Sequence, residues 1–150
     1  MTALYTEKLF NSEEQEQLKE TIRRAEALTS GEIRLYVENH CPGNVLDRAA
    51  FIFGFLKMHE TRERNGVLFY LAVYDHKFAI LGDAGINGRV KADFWDEIKN
   101  IMQAQFRQKK YFEGMQTGIM MAAEALKTYF PRSSSDVNEL SDDIVFGDDK

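Results

Sequence analysis

The sequence predicts an α/β fold, a three-layer αβα sandwich built on a mixed sheet of three to four strands. Three observations lead to this fold class. A helical pattern precedes the first strand pattern, a second helical pattern separates two strand patterns, and two more helical patterns follow the last strand. If the first two strands share a sheet, the helix between them is the crossover of a parallel pair. The remaining helices can then cover both faces of the sheet.

The first half of the chain supplies a helix, a strand and a second helix. Ser12-Glu-Glu-Gln15 has the form of a capping box, and Leu18, Ile22, Ala25 and Leu28 follow at helical spacing. Residues 32–38 alternate apolar with polar side chains, which is typical of a strand with one polar face. Residues 46–62 are too long an apolar run for a strand, and their apolar positions recur at helical spacing.

The second half begins with two strands and ends with two helices. Residues 67–74 are apolar on both faces, which indicates an interior strand. Asp75-His76 is a short polar break before the strand 77–81, so these two strands form a hairpin. A helix capped by Asp93 carries one apolar stripe, and a last helix spans about 113–129.

Length and charge indicate one domain followed by an acidic tail. The chain has 150 residues and a net charge of −5. Residues 132–150 hold six acidic and two basic side chains, a sum of −4, so the rest of the chain is close to neutral. We therefore expect a domain over residues 1–131 and a flexible acidic tail over 132–150.

Composition argues against several classes of protein. The domain has no basic cluster, so we do not expect it to bind nucleic acid. Cys41 is the single cysteine, which rules out an internal disulfide and fits a reducing compartment. No apolar run is long enough to span a membrane, and residues 1–10 are too polar for a signal peptide. We expect a soluble, cytoplasmic protein, and the sequence leaves its oligomeric state open.

Several polar residues are expected to meet at one edge of the sheet. Parallel strands bring their N-terminal ends together, and the hairpin returns the end of the third strand to the same edge. Glu32, Asn65 and Asp83 should therefore converge, and Asp96 follows in the next helix. Carboxylate and amide oxygens suit Ca²⁺ or Mg²⁺. These four residues are the predicted ligands of a divalent cation.

Each candidate ligand also has a plain structural interpretation. Asp83 lies between glycines and is equally suited to form a turn by bonding to the following amides. Asp96 suits the N-terminus of a helix whether or not it binds metal. Glu32 is either a solvated strand residue or a partner of Arg34, and Asn65 is in a turn before the second strand.

The sequence gives less support for a zinc site or a catalytic nucleophile than for a Ca²⁺ or Mg²⁺ site. The three histidines lie on different elements, and the sequence lacks the CxxC and HExxH spacings of zinc sites. It also lacks GxSxG, P-loop and GxGxxG motifs. Cys41 has no histidine base except its neighbour His40, which makes a catalytic thiol a weak hypothesis.

The segment from Gly31 to Phe130 resembles the TPM domain family. The resemblance rests on an ordered set: GEIRLYVE, RNGVLFYLAVYDHKFAILGDAGI, a helix opening with DFW, and YFEGMQTGIMMAAEAL. It implies an αβα sandwich that binds divalent cations at the sheet rim, with the family's acidic loop position at Asp83. Glu32 and Asn65 match recurrent positions on neighbouring strand ends. Many members carry a signal peptide and a membrane anchor, and this sequence shows neither pattern.

Two alternative functions accompany the cation-binding hypothesis. The family carries a phosphatase label from a plant relative, which implies a metal-assisted phosphatase with Asp83 holding the ion and Arg64 or Arg89 pairing with phosphate. A fold resemblance alone does not transfer that activity. The other alternative is an interaction scaffold whose acidic tail engages a protein partner.

Overall fold

The structure of the chain is a computed structural model that describes residues 9–132 and 144–147. The described part begins with α1 (Ser12–Glu26), β1 (Glu32–Glu38), α2 (Val45–Phe55) and a 3-10 turn (Met58–Glu60). The hairpin of β2 (Gly66–Ala72) and β3 (Lys77–Gly82) follows, and then the one-turn helix α3 (Ala84–Asn87). The remaining elements are α4 (Phe94–Arg107), α5 (Tyr111–Tyr129) and β4 (Val145–Phe146).

The sheet is mixed and has the strand order β3-β2-β1-β4. The two central strands, β1 and β2, are parallel, with Glu32 opposite Gly66. The hairpin partner β3 runs antiparallel to β2, with Gly82 opposite Val67. This arrangement confirms the predicted fold class and places the starts of β1 and β2 beside the end of β3.

Two hydrophobic cores lie on opposite faces of the sheet. The larger core joins α1, α4 and α5 to the face that presents Leu35, Val67 and Phe69. The smaller core joins α2 and the 3-10 turn to the face that presents Leu68 and Tyr70. The three layers follow from this division, because β2 is apolar on both of its faces and needs cover on each.

The polar face of β1 is buried, which contradicts the interpretation of Glu32 as a solvated strand residue. All seven residues of β1 are buried, including Glu32, Arg34 and Glu38. Strand alternation sets these side chains on the face that α2 covers. This burial agrees with the expectation that helices cover both faces of the sheet.

Several element boundaries also differ from those predicted. The capping box of α1 lies one residue earlier than expected, because Asn11 accepts a hydrogen bond from the Glu14 N–H and Glu14 accepts one from the Asn11 N–H. The helix predicted over 46–62 ends at Phe55, and Lys57 has a left-handed φ of 58° that begins the 3-10 turn. The last helix begins at Tyr111, two residues before the predicted start.

Part of the predicted tail lies against the sheet. Val145 and Phe146 pair with Tyr36 and Val37 as a parallel edge strand, and the Gly147 N–H donates to Val37 O at 2.7 Å. The other residues of the predicted flexible tail, 133–143 and 148–150, lie outside the described residues. The boundary at residue 131 stays a prediction. Within the described ranges no helix is both long and apolar enough to cross a membrane.

Candidate functional site

Asp83 lies at the end of β3, at the predicted rim of the sheet, and its side chain is 6% exposed. Its carboxylate accepts two hydrogen bonds from Arg64, from Nε to Oδ2 and from Nη2 to Oδ1, each at 2.7 Å. The Ala84 N–H donates to Oδ1 at 2.8 Å, so Asp83 also caps α3. The turn-forming interpretation is therefore confirmed, together with an ion pair that the sequence analysis did not predict.

Arg64 reaches Asp83 because its own backbone is left-handed, with φ of 53°. The Gly85 N–H donates to Arg64 O at 2.7 Å and brings the two loops into contact. A Cβ atom on residue 85 would lie 2.0 Å from Glu63 O, so only glycine fits there. The Arg64 side chain is 51% exposed, and its hydrogen bonds to Asp83 raise the pKa of the guanidinium.

Asn65 is buried beside this ion pair, at 1% exposure. Its Nδ2 donates to Ser30 Oγ at 3.1 Å, and Ser30 Oγ donates to the Glu63 carboxylate at 2.5 Å. Among the described residues nothing donates a hydrogen bond to Asn65 Oδ1. The rim therefore holds one buried amide oxygen with spare acceptor capacity.

Glu32 lies at the same end of the sheet as Asp83, but it is on β1, two strands away. Glu32 pairs with Gly66, and Gly66 O accepts a hydrogen bond from the Asp83 N–H. Two strand spacings separate the backbones by roughly 10 Å. Met58 covers Gly66 between them, because a Cβ atom on Gly66 would lie 3.1 Å from Met58 O.

Asp96 is exposed in the first turn of α4. The neighbouring Trp95 anchors this helix to the rim, since its Nε1 donates to Asn87 Oδ1 at 2.7 Å. Asp93 occupies the N-cap position as predicted, but its side chain makes no capping hydrogen bond. The structure thus brings α4 to the rim without directing Asp96 into a buried site.

The four predicted ligands do not form a preorganised acidic cluster. Across the described ranges, no three Asp, Glu, His or Cys side chains are grouped closely enough to hold a metal ion. What the rim offers instead is the buried carboxylate of Asp83, the buried amide oxygen of Asn65 and the nearby acid Glu63, with the buried Glu32 two strands away. Such an oxygen set suits only a hard cation such as Ca²⁺ or Mg²⁺.

The two arginines suggested for phosphate binding both have other partners. Both donors of Arg64 that face the rim are used by Asp83. The guanidinium of Arg89 lies over the rings of Tyr129 and Phe130, at 5.3 and 5.8 Å from their centroids. Neither side chain is arranged as a free phosphate ligand.

A second polar network, missed by the sequence analysis, lies at the other end of β1. Arg48 on α2 donates to both oxygens of Glu38, from Nε at 2.9 Å and from Nη2 at 2.8 Å. The Tyr70 hydroxyl also donates to Glu38. Burial raises the pKa of Tyr70, and the hydrogen bond to Glu38 adds to the rise. This network attaches α2 to the sheet.

Asp75 lies in the hairpin turn at that same end, far from Asp83 as predicted. Its Oδ2 accepts a hydrogen bond from the Cys41 N–H at 2.7 Å, and its Oδ1 lies 3.1 Å from His40 Nδ1. These contacts, with the Cys41 amide first, lower the pKa of Asp75. His40 stacks on Tyr74 and is directed to Asp75, while the Cys41 thiol donates to Gly43 O at 3.7 Å, so His40 is not paired with the thiol.

Comparison with known proteins decides the family. The model of the TPM domain family matches residues 5–125. The chain belongs to the TPM domain family. No curated protein matches its sequence significantly.

Two solved structures resemble this TPM domain. The NMR structure of the BA42 protein from the psychrophilic bacterium Bizionia argentinensis is 44% identical, covers 92% of this chain and 95% of that one, and superposes with a TM-score of 0.85. The N-terminal domain of a P. gingivalis protein, also solved by NMR, is 17% identical over 81% of this chain and 79% of that one, with a TM-score of 0.58. The second likeness concerns the fold alone.

Proposed function

We propose that this TPM domain is a binding module for Ca²⁺ or Mg²⁺, with Asp83 as the central ligand and Arg64 as the group that the ion displaces. The observation that supports this proposal is the difference in solvent exposure between the two side chains of the ion pair. The Asp83 side chain is 6% exposed, whereas the Arg64 side chain is 51% exposed. The arginine can therefore move into water while the carboxylate stays in place.

Charge balance gives the physical reason for the exchange. A buried carboxylate needs a cationic or hydrogen-bonding partner, because its desolvation is costly when it is left alone. A divalent ion supplies that partner in place of the guanidinium. The further oxygens at the rim come from the two neighbours of Arg64 in the chain: Asn65 Oδ1, which accepts no hydrogen bond from the described residues, and the Glu63 carboxylate, which accepts one from Ser30. A phosphatase function has no comparable support, since Arg64 and Arg89 are both engaged elsewhere.

Metal-dependent thermal unfolding of three variants tests this proposal. For the wild-type protein we expect the melting temperature to rise in millimolar Ca²⁺, because a ligand that binds the folded state stabilises it. Arg64→Gln removes the competing cation, so its melting temperature without metal falls and its Ca²⁺-induced rise grows. Asp83→Asn should show no Ca²⁺-induced rise. Asp47→Asn, an exposed acid on α2, is the matched control and should respond like wild type.

The ion identity is tested by repeating the melts with Mg²⁺. Ca²⁺ accepts irregular coordination by six to eight oxygens, while Mg²⁺ demands a near-ideal octahedron. We expect the larger effect with Ca²⁺, because the rim supplies few side-chain oxygens. Equal Ca²⁺-induced shifts in Asp83→Asn and wild type would show that Asp83 is not the ligand and overturn the proposal.

A further inference from the structure

A cavity of about 230 Å³ opens at the opposite end of the sheet from Asp83. It lies between the β2–β3 hairpin and the junction of α4 with α5. Its walls are apolar and largely aromatic: the Phe106 ring meets the Phe78 ring edge-on at 5.0 Å and lies 5.8 Å from the Tyr111 ring. Leu9, Leu71 and Val73 complete the apolar lining.

The polar residues at the cavity carry no negative charge. Gln103, His76 and Arg107 are its polar lining residues. None of their side chains has a hydrogen-bond or ion-pair partner in the part of the chain that the structure describes. Lys109 and Lys110 come two and three residues after Arg107 and are exposed. Arg107, Lys109 and Lys110 therefore place three cationic side chains at the junction of α4 with α5, in a chain whose net charge is −5.

An apolar cavity with an unpaired cation beside it has the chemistry of a site for an anionic amphiphile. Ligand pockets combine mainly apolar walls with a few polar groups that orient the ligand. A dry cavity of about 150 Å³ binds benzene, so this larger space accommodates an alkyl chain of octanoate length. A carboxylate head would meet Arg107, which is suited to pair with it through two parallel hydrogen bonds.

We propose that this cavity binds a medium-chain carboxylate, with the alkyl chain against Phe78, Phe106 and Tyr111 and the head group at Arg107. The site is independent of the cation site. Lys77 begins β3 beside the cavity and Gly82 ends it at the rim, a separation of about 17 Å along the strand. A negative result for one proposal therefore leaves the other proposal unaffected.

Octanoate titration of the full chain, followed by amide NMR signals, tests the site. We expect signals of residues 73–78 and 103–111 to move and to saturate at roughly millimolar octanoate, as suits so small a ligand. Octanol should bind more weakly at the same residues, and octylammonium should bind weakest because its head would face Arg107.

Two variants separate the head-group contact from the apolar cavity. Arg107→Gln should weaken octanoate binding about three- to ten-fold and leave octanol binding unchanged. Gln103→Trp should fill the cavity and abolish binding of both. Lys91→Gln, an exposed charge change near the other end of the molecule, is the control and should bind octanoate like wild type.

Three results would overturn the proposal. One is the absence of octanoate-dependent shifts at the cavity residues. Another is octylammonium binding as tightly as octanoate, which would show that Arg107 does not select the head group. The third is contact between residues 1–8 and the Phe106 ring in nuclear Overhauser spectra without octanoate binding, which would assign the cavity to the chain itself.

Discussion

Asp83 has three structural roles in the fold. It caps α3 through the Ala84 amide, pairs with Arg64 and ends the hairpin at the rim of the sheet. Arg64 forms this pair from a left-handed backbone conformation, which costs energy for a residue other than glycine. The contact with Gly85 compensates for this cost by fixing the backbone carbonyl of Arg64.

The substitution Gly85→Ala tests that backbone contact. A Cβ atom on residue 85 would lie 2.0 Å from Glu63 O and 2.5 Å from Arg64 O, and both are backbone atoms rather than the ends of flexible side chains. We expect urea denaturation to show a loss of about 1–3 kcal/mol or more, the usual cost of overpacking. Gly88→Ala is the matched control, since its nearest atom would be Ala84 O at 3.4 Å. Equal stability of the two variants would contradict this account.

The lowered pKa of Asp75 makes the stability of the folded protein depend on pH in the acidic range. Its contacts lower its pKa below 3.8, so the folded state favours the carboxylate more than the unfolded state does. The stabilisation is present above the unfolded pKa and is lost as the pH falls through the folded value. Asp75→Asn should therefore lose less stability than wild type when urea denaturation is moved from pH 5 to pH 3. A carboxyl carbon titration that places the Asp75 pKa at or above 3.8 would exclude this effect.

Among the elements, α4 and α5 pack closely because α5 carries glycines where the helices meet. Gly114 faces Phe106, and Gly118 faces Met102. The two glycines are four residues apart and so lie on one face of α5. Both helices cover the larger core, whereas α2 and the 3-10 turn cover the smaller one.

Gly118→Ala tests this helix contact. A Cβ atom there would lie 2.3 Å from Met102 Sδ, in a fully buried position. Methionine is flexible, but the core around it is filled, so we expect a loss of about 1–3 kcal/mol in urea denaturation. Gly54→Ala in α2 is the control, because nothing lies within 4 Å of the new Cβ atom. It should gain about 0.5–1 kcal/mol from helix propensity, and a loss from Gly54→Ala would argue against this interpretation.

For the whole molecule, the pattern of apolar residues was sufficient to predict the layers and the three strands β1, β2 and β3. The alternation in β1 and the apolar run of β2 are local signals, and they placed the starts of both strands beside the end of β3. The meeting of Asn65 and Asp83 at one rim follows from that topology. Strand β4 was not predicted, because two residues in a polar stretch carry no period.

The side-chain contacts at the rim were less predictable from the sequence than the position of the rim in the fold. The pairing of Arg64 with Asp83 depends on a left-handed residue held by a glycine twenty-one positions later, and no local pattern encodes such a contact. The burial of Glu32 depends on the cover supplied by α2 and the 3-10 turn. Strand topology predicts which residues lie at one edge of the sheet, but it does not predict which of their side chains are in contact.

The proposed function depends on the exchange of the Arg64 guanidinium for a divalent cation at Asp83. The most direct measurement is a Ca²⁺ titration of the wild-type protein in which the Arg64 side-chain Nε–H signal and the amides of residues 63–66 and 82–88 are followed by NMR. We predict that these amides shift together and saturate at millimolar Ca²⁺ or below, while the Nε–H signal moves to the position of a solvated arginine. An Nε–H signal that stays unchanged, with no shift at the rim at millimolar Ca²⁺, would contradict the account.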